Sequence, residues 1–107
     1  MNYEVRLTAE AENDLRGIFE YIAFDLQSVQ NAAGQFDRLE QGIASLDQMP
    51  ERFRRYEKEP WSGRNLRIMP VNNYLIFYIP DHKEQVVNVM RVMYGGRDVS
   101  RQLNQLL

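Results

Sequence analysis

Apolar positions change period part-way along the chain, and the change separates a helical half from a strand-rich half. Residues 3 to 7, YEVRL, alternate, with Tyr3, Val5 and Leu7 on one side and Glu4 and Arg6 on the other, which predicts a short strand. Thr8 has the form of a helix N-cap, and Glu10, Glu12 and Asp14 place negative charge where a helix dipole favours it. Ala11, Leu15, Ile18, Phe19, Ile22 and Leu26 then recur at intervals of three and four as one apolar stripe. Ser28 predicts the cap of a second helix, with a stripe through Val29, Ala32, Ala33, Phe36, Leu39, Ile43 and Leu46 that Pro50 stops. The short link makes the two helices an antiparallel hairpin. Gly17, Gly34 and Gly42 each cost a helix about 1 kcal/mol against alanine, so close packing is expected to compensate.

Residues 51 to 64, ERFRRYEKEPWSGR, have no period and contain Pro60 and Gly63, which predicts an irregular connection. Three apolar runs follow: LRIMPV (66 to 71), YLIFYI (74 to 79) and QVVNVMRVM (85 to 93), separated by turn residues. The middle run is apolar throughout, as in a strand covered on both faces. Helices supply one cover, and the C-terminal tail or a partner supplies the other. The tail itself, DVSRQLNQLL, predicts a short amphipathic helix with Val99, Leu103, Leu106 and Leu107 on one side. The fold class is therefore α+β, a helix hairpin packed on a small antiparallel sheet with a short C-terminal helix.

The length of 107 residues suits one domain spanning residues 1 to 107. Cysteine is absent, which removes disulfides, thiolate nucleophiles and cysteine-rich zinc sites. No signal-like N-terminus or long apolar run suggests a membrane, and a cytoplasmic protein is expected. The net charge of −2 hides an asymmetry: residues 1 to 50 carry nine acids and three arginines, and residues 51 to 107 carry six acids and ten bases. That balance argues against a general nucleic-acid coat and leaves room for a local basic face.

The motifs of several hydrolase classes are missing. The single histidine, His82, lies in the turn PDHK and is expected to be exposed and without a role; no HExxH, Walker loop or GxSxG motif occurs. No metal or other cofactor is expected. Arg52, Arg54, Arg55, Lys58, Arg64 and Arg67 interleave with Phe53, Tyr56 and Trp61, a mixture able to bind phosphates and stack bases. Glu51, Glu57 and Glu59 partly neutralise it. Arg91 interrupts an apolar strand, where a lone charge points to an open face or pairs with an acid. Arg97 follows two glycines and precedes Asp98.

YEVRLTAEAENDLRGIFEYIA, NLRIMPVNNYLIFYIPD and VVNVMRVMYGGRD, in that order, resemble the ParE/RelE superfamily of toxins of bacterial type II toxin-antitoxin systems. The resemblance covers most of the chain and implies the same helix hairpin on a sheet. It also divides the function. RelE-like members are ribosome-dependent messenger RNA endonucleases, and ParE-like members, on the plasmid-stabilising side, inhibit DNA gyrase.

Metal-free RNA cleavage needs a base for the 2′-hydroxyl, an acid for the leaving oxygen and cations for the phosphate. The nucleases commonly carry an arginine where this chain has Tyr74, and a terminal tyrosine or histidine where nothing of the kind follows Gly96. Arg64, Arg67 and Arg97 would be the phosphate-binding set of a nuclease, with Tyr94 beside them. RVMYGGRD resembles the ParE side more closely, and a pI of 5.4 suits a ribosome-docking nuclease poorly.

The resemblance thus implies a non-enzymatic gyrase inhibitor with no catalytic residues, a target-binding surface at Arg91, Tyr94, Arg97 and Asp98, and a ParD-like or other small antitoxin that folds as it wraps the toxin. Trp61, Tyr74, Phe77 and Tyr78 are expected in the core or at the antitoxin interface. An RNA nuclease and a non-toxic antitoxin-binding module are the alternatives.

Overall fold

The structure is a computed structural model that describes residues 2–25, 27–95 and 98–107. Strand β1, Glu4–Leu7, leads into helix α1, Ala9–Glu20, where Thr8 is the expected cap: its Oγ1 accepts the Ala11 N–H at 3.1 Å. A π-helical turn, Tyr21–Asp25, continues α1. Such a turn holds more residues than an α-helical one, so a stripe of period 3.6 loses phase across it. Tyr21 and Phe24, which lie off the predicted stripe, are 52% and 69% exposed. Leu26, expected on the same stripe, lies outside the described residues.

Helix α2, Val29–Ala44, is capped by Ser28 Oγ, which accepts the Asn31 N–H at 3.3 Å. It ends before the expected stop, giving way to a 3-10 turn at Ser45–Asp47, and Pro50 heads a separate 3-10 turn, Pro50–Arg52. Of the helix glycines, Gly42 is the one that packs closely: a Cβ there would lie 2.9 Å from Val71 Cγ2. Gly17 faces open space, and Gly34 has Arg38 alone nearby, at 3.7 Å.

Strands β2, Arg67–Val71, β3, Tyr74–Asp81, and β4, Val86–Tyr94, form antiparallel pairs. Asn72 opens the β2–β3 turn at φ 54°, a left-handed conformation that asparagine tolerates. The sheet order is β1-β4-β3-β2, and β1 runs parallel to β4 from Glu4 opposite Val86 to Leu7 opposite Val89. The sheet is therefore mixed rather than wholly antiparallel, because the hairpin carries the chain from β1 on one edge to β2 on the other.

Each face of the sheet has its own apolar cluster. Leu15, Leu39, Leu46, Ile76, Tyr78 and Val89 pack between the sheet and the hairpin. Tyr56, Trp61, Leu66, Phe77, Met93 and Leu103 fill the other face, so its cover is the irregular connection together with helix α3, Val99–Asn104. Trp61, Phe77 and Tyr78 are 2%, 0% and 0% exposed. They are core residues here, and the expectation of an antitoxin interface at these three gives way to that role. Each such side chain contributes about 1.5–3 kcal/mol by leaving water.

Candidate functional site

The end of β4 is built by a change of phase. Phe77 faces Arg91 and Tyr78 faces Val89, so Met90 is the extra residue of a β-bulge. Val87 and Val89 point to the helices, and without the bulge Arg91 would follow them into that core. With it, Val92 takes the core position and Arg91 emerges on the α3 side. From there its guanidinium reaches round the sheet edge. Nε and Nη2 donate to Asp14 of α1 at 2.7 and 2.9 Å, and Nη1 donates to the Gln102 carbonyl of α3 at 3.5 Å. Asp14 also accepts the Val92 N–H at 2.9 Å. Arg91 thus straps two layers through the edge of the third, with its side chain 13% exposed and that of Asp14 15% exposed. The hydrogen bond that Arg91 donates to Asp14 raises the Arg91 pKa, against burial, which lowers it.

Beside this strap lies an open groove of about 1140 Å³, walled by α1 and the π turn on one side, α2 on another, and the ends of β3 and β4 below. Tyr74 and Tyr94, directly opposite in the β3–β4 ladder, meet edge to face with centroids 5.9 Å apart. Tyr94 is 51% exposed. Tyr21, Glu20, Asp25 and Arg38 form the groove's rim. Asp98 is the N-cap of α3 and accepts the Arg101 N–H at 3.3 Å. Arg97 lies outside the described residues.

The expected target surface therefore divides: Tyr94 is presented, Arg91 is committed to Asp14, and Asp98 caps a helix. The acid that Arg91 pairs with sits 77 positions away, where the sequence marks it as one more carboxylate near the start of a helix. A lone arginine in an apolar strand was the available signal, but it names no partner.

The basic stretch is largely structural. Arg67 Nη1 donates to the carbonyls of Glu51 and Phe53 at 3.0 and 2.8 Å, and its side chain is 12% exposed. Arg52 donates to Gln48 O and Ser45 Oγ, and Lys58 donates to Ser100 Oγ. Arg64 is exposed and lies over the Trp61 ring at 5.2 Å. Of the proposed phosphate set, Arg67 is thus spent on holding the connection against β2.

His82, expected to have no role, ties three segments. Its Nδ1 meets the Tyr3 hydroxyl and its Nε2 lies 2.9 Å from Glu51 Oε1. One tautomer serves both contacts, with Nε2–H donating to Glu51 and Nδ1 accepting from Tyr3. The hydrogen bond from His82 lowers the Glu51 pKa. On the helix side of the sheet, the Tyr78 hydroxyl donates to Pro50 O at 2.5 Å, and burial pushes its pKa up to about 12. Among the described residues no group of three or more histidine, aspartate or glutamate side chains could hold a metal ion, and no helix is long and apolar enough to cross a membrane.

Residues 5–99 match the profile of the ParE toxin of the type II toxin-antitoxin system, parDE. The chain belongs to the ParE toxin family. It is a toxin of a type II toxin-antitoxin system with the fold shared by ParE and RelE. No curated protein matches by sequence. Among solved structures, a chain of the chromosomal ParDE system from P. aeruginosa superposes with a TM-score of 0.70 at 14% identity, covering 86% of this chain and 95% of that one. The free E. coli toxin RelE, in an arginine-substituted mutant, gives 0.67 at 14% identity with both chains fully covered. The toxin-antitoxin complex RelBE2 from Mycobacterium tuberculosis gives 0.62 at 20% identity, covering 88% of this chain and 99% of that one. At these identities the likeness is one of fold.

Proposed function

We propose that this ParE-family toxin inhibits DNA gyrase without being an enzyme, and that a cognate antitoxin holds it inactive in the cytoplasm. The match to the ParE toxin over residues 5–99 carries the reading. The disposition of the arginines supports it. A nuclease needs cations free to hold a phosphate and groups to move two protons. Arg67 is spent on backbone carbonyls, Tyr74 stands where the nucleases carry arginine, and residues 98–107 contain neither tyrosine nor histidine.

The exposed tyrosine at the end of β4, rather than Arg91, is the target-facing group of this surface; Arg97 remains part of the proposal as a target-binding cation. Expression of the chain should arrest growth, co-expression of the neighbouring antitoxin should relieve the arrest, and translated messages should stay intact. Cuts within codons of translated messages would replace gyrase with the ribosome. Growth without arrest would leave an antitoxin-binding module.

A further inference from the structure

The ladder between β3 and β4 fixes which backbone groups of β4 face outward. Gly95 N–H donates to Asn73 O at 2.9 Å, so residues 91, 93 and 95 bond to β3 while Val92 and Tyr94 turn their N–H and C=O to the opposite edge. Strand β1 covers that edge only as far as Val89, and two side chains extend the cover. Thr8 N–H donates to Val89 O at 3.1 Å, Thr8 Oγ1 donates to Met90 O at 3.0 Å, and Asp14 accepts from Val92 N–H at 2.9 Å. There the cover stops. Among the described residues nothing partners Val92 C=O, Tyr94 N–H or Tyr94 C=O. One helical turn beyond Asp14, Gly17 leaves space: a Cβ placed on it would have no neighbour within 4 Å. The open part of the edge is at Tyr94, which is 51% exposed against 2% for Val92, and it lines the same groove as Gly17.

We infer that this edge is a strand-addition site, occupied by an extended segment of the antitoxin that carries a lysine or arginine. The inference rests on the antitoxin reading above and specifies how the partner is held. Main-chain hydrogen bonds at a sheet edge give affinity to an extended peptide whatever its sequence, and flanking groups select its side chains. Charge selects for a basic segment here. Residues 9 to 44 carry seven acids and two arginines, and Glu20 and Asp25 stand exposed on the groove's rim against Arg38. Tyr21 and Tyr94, both about half exposed, line the same groove and add aromatic surface to which a cation is attracted.

Two measurements on the toxin and the neighbouring antitoxin test this. Amide exchange followed by NMR reads the Tyr94 N–H directly, and forming the complex should slow it at least ten-fold. Titration calorimetry reads affinity for two variants. Tyr94→Pro deletes a donor that the sheet itself does not use, and Tyr94→Ala removes the ring but keeps the donor. The proline variant should bind at least ten-fold more weakly than the alanine variant. A complex that leaves Tyr94 exchange unchanged, or that binds both variants alike, overturns the strand-addition site and leaves the antitoxin reading standing. No complex with the wild-type chain overturns both.

Discussion

Asp14→Ala should be among the most destabilising single changes on the surface of this protein. Asp14 accepts three hydrogen bonds, two from Arg91 and one from the Val92 backbone. Alanine leaves the Val92 N–H without a partner, which costs about 1–3 kcal/mol when the donor is shielded from water. It also strips Arg91 of its counter-charge. Exposed pairs are worth about 0–1 kcal/mol and breaking buried ones costs about 3–5. With side chains 13% and 15% exposed, this pair falls between them, and water can reach the guanidinium, so about 1–2 kcal/mol is a fair share.

The loss should total about 2–5 kcal/mol, or roughly 10–30 °C in Tm for a chain of this size. Asp14→Asn keeps an acceptor for Val92 N–H and should lose about half as much. Urea unfolding of the two variants, Arg91→Met and the double mutants would measure this, with the m-value checking that the unfolded reference is unchanged. A loss under about 0.5 kcal/mol for Asp14→Ala, or no coupling between positions 14 and 91, would refute the strap.

Other outcomes follow from the same contacts. Gly17→Ala should stabilise by about 0.5–1 kcal/mol, since the helix gains propensity and the new methyl meets nothing, whereas Gly42→Ala should destabilise because its methyl would lie 2.9 Å from Val71; thermal melts of the pair should move in opposite directions. Tyr78→Phe orphans Pro50 O and should cost about 1–3 kcal/mol at neutral pH. A Tyr78 pKa raised from 10.0 to about 12 means that its contribution is intact below pH 10 and is lost as pH rises towards 12, so urea midpoints of wild type and Tyr78→Phe should converge over that range. The Glu51 pKa is lowered from 4.5, so its contribution is present above pH 4.5 and fades as pH falls below it; Glu51→Gln should flatten that acid slope slightly, the carboxylate being half exposed.

Much of the fold was legible because its stripes are long. Thr8 and Ser28 cap the helices where the pattern places them, and the three apolar runs after residue 65 are β2, β3 and β4 with ends shifted by one or two residues. What period cannot show is a change of period. The π turn at Tyr21–Asp25 and the bulge at Met90 each insert a residue into a regular repeat, and the bulge brings Arg91 out to the edge. The parallel pairing of β1 with β4 depends on chain direction after two helices, which local patterning does not encode.

The site was legible in kind more than in role. A charge in an apolar strand signals a partner, but Asp14 is chosen by packing across 77 residues. The basic run signals anion binding, yet the carbonyls of Glu51 and Phe53 claim Arg67, and no sequence pattern marks backbone acceptors. His82 gave no signal because each of its partners, Tyr3 and Glu51, comes from another segment.

The most direct test of the central claim uses purified gyrase, supercoiled plasmid and ATP with the antitoxin-free toxin, stopped with detergent. Linear DNA should appear only with the toxin and fade with Tyr94→Ala. Undisturbed supercoiling by gyrase, with a folded preparation that arrests growth in cells, would contradict that claim.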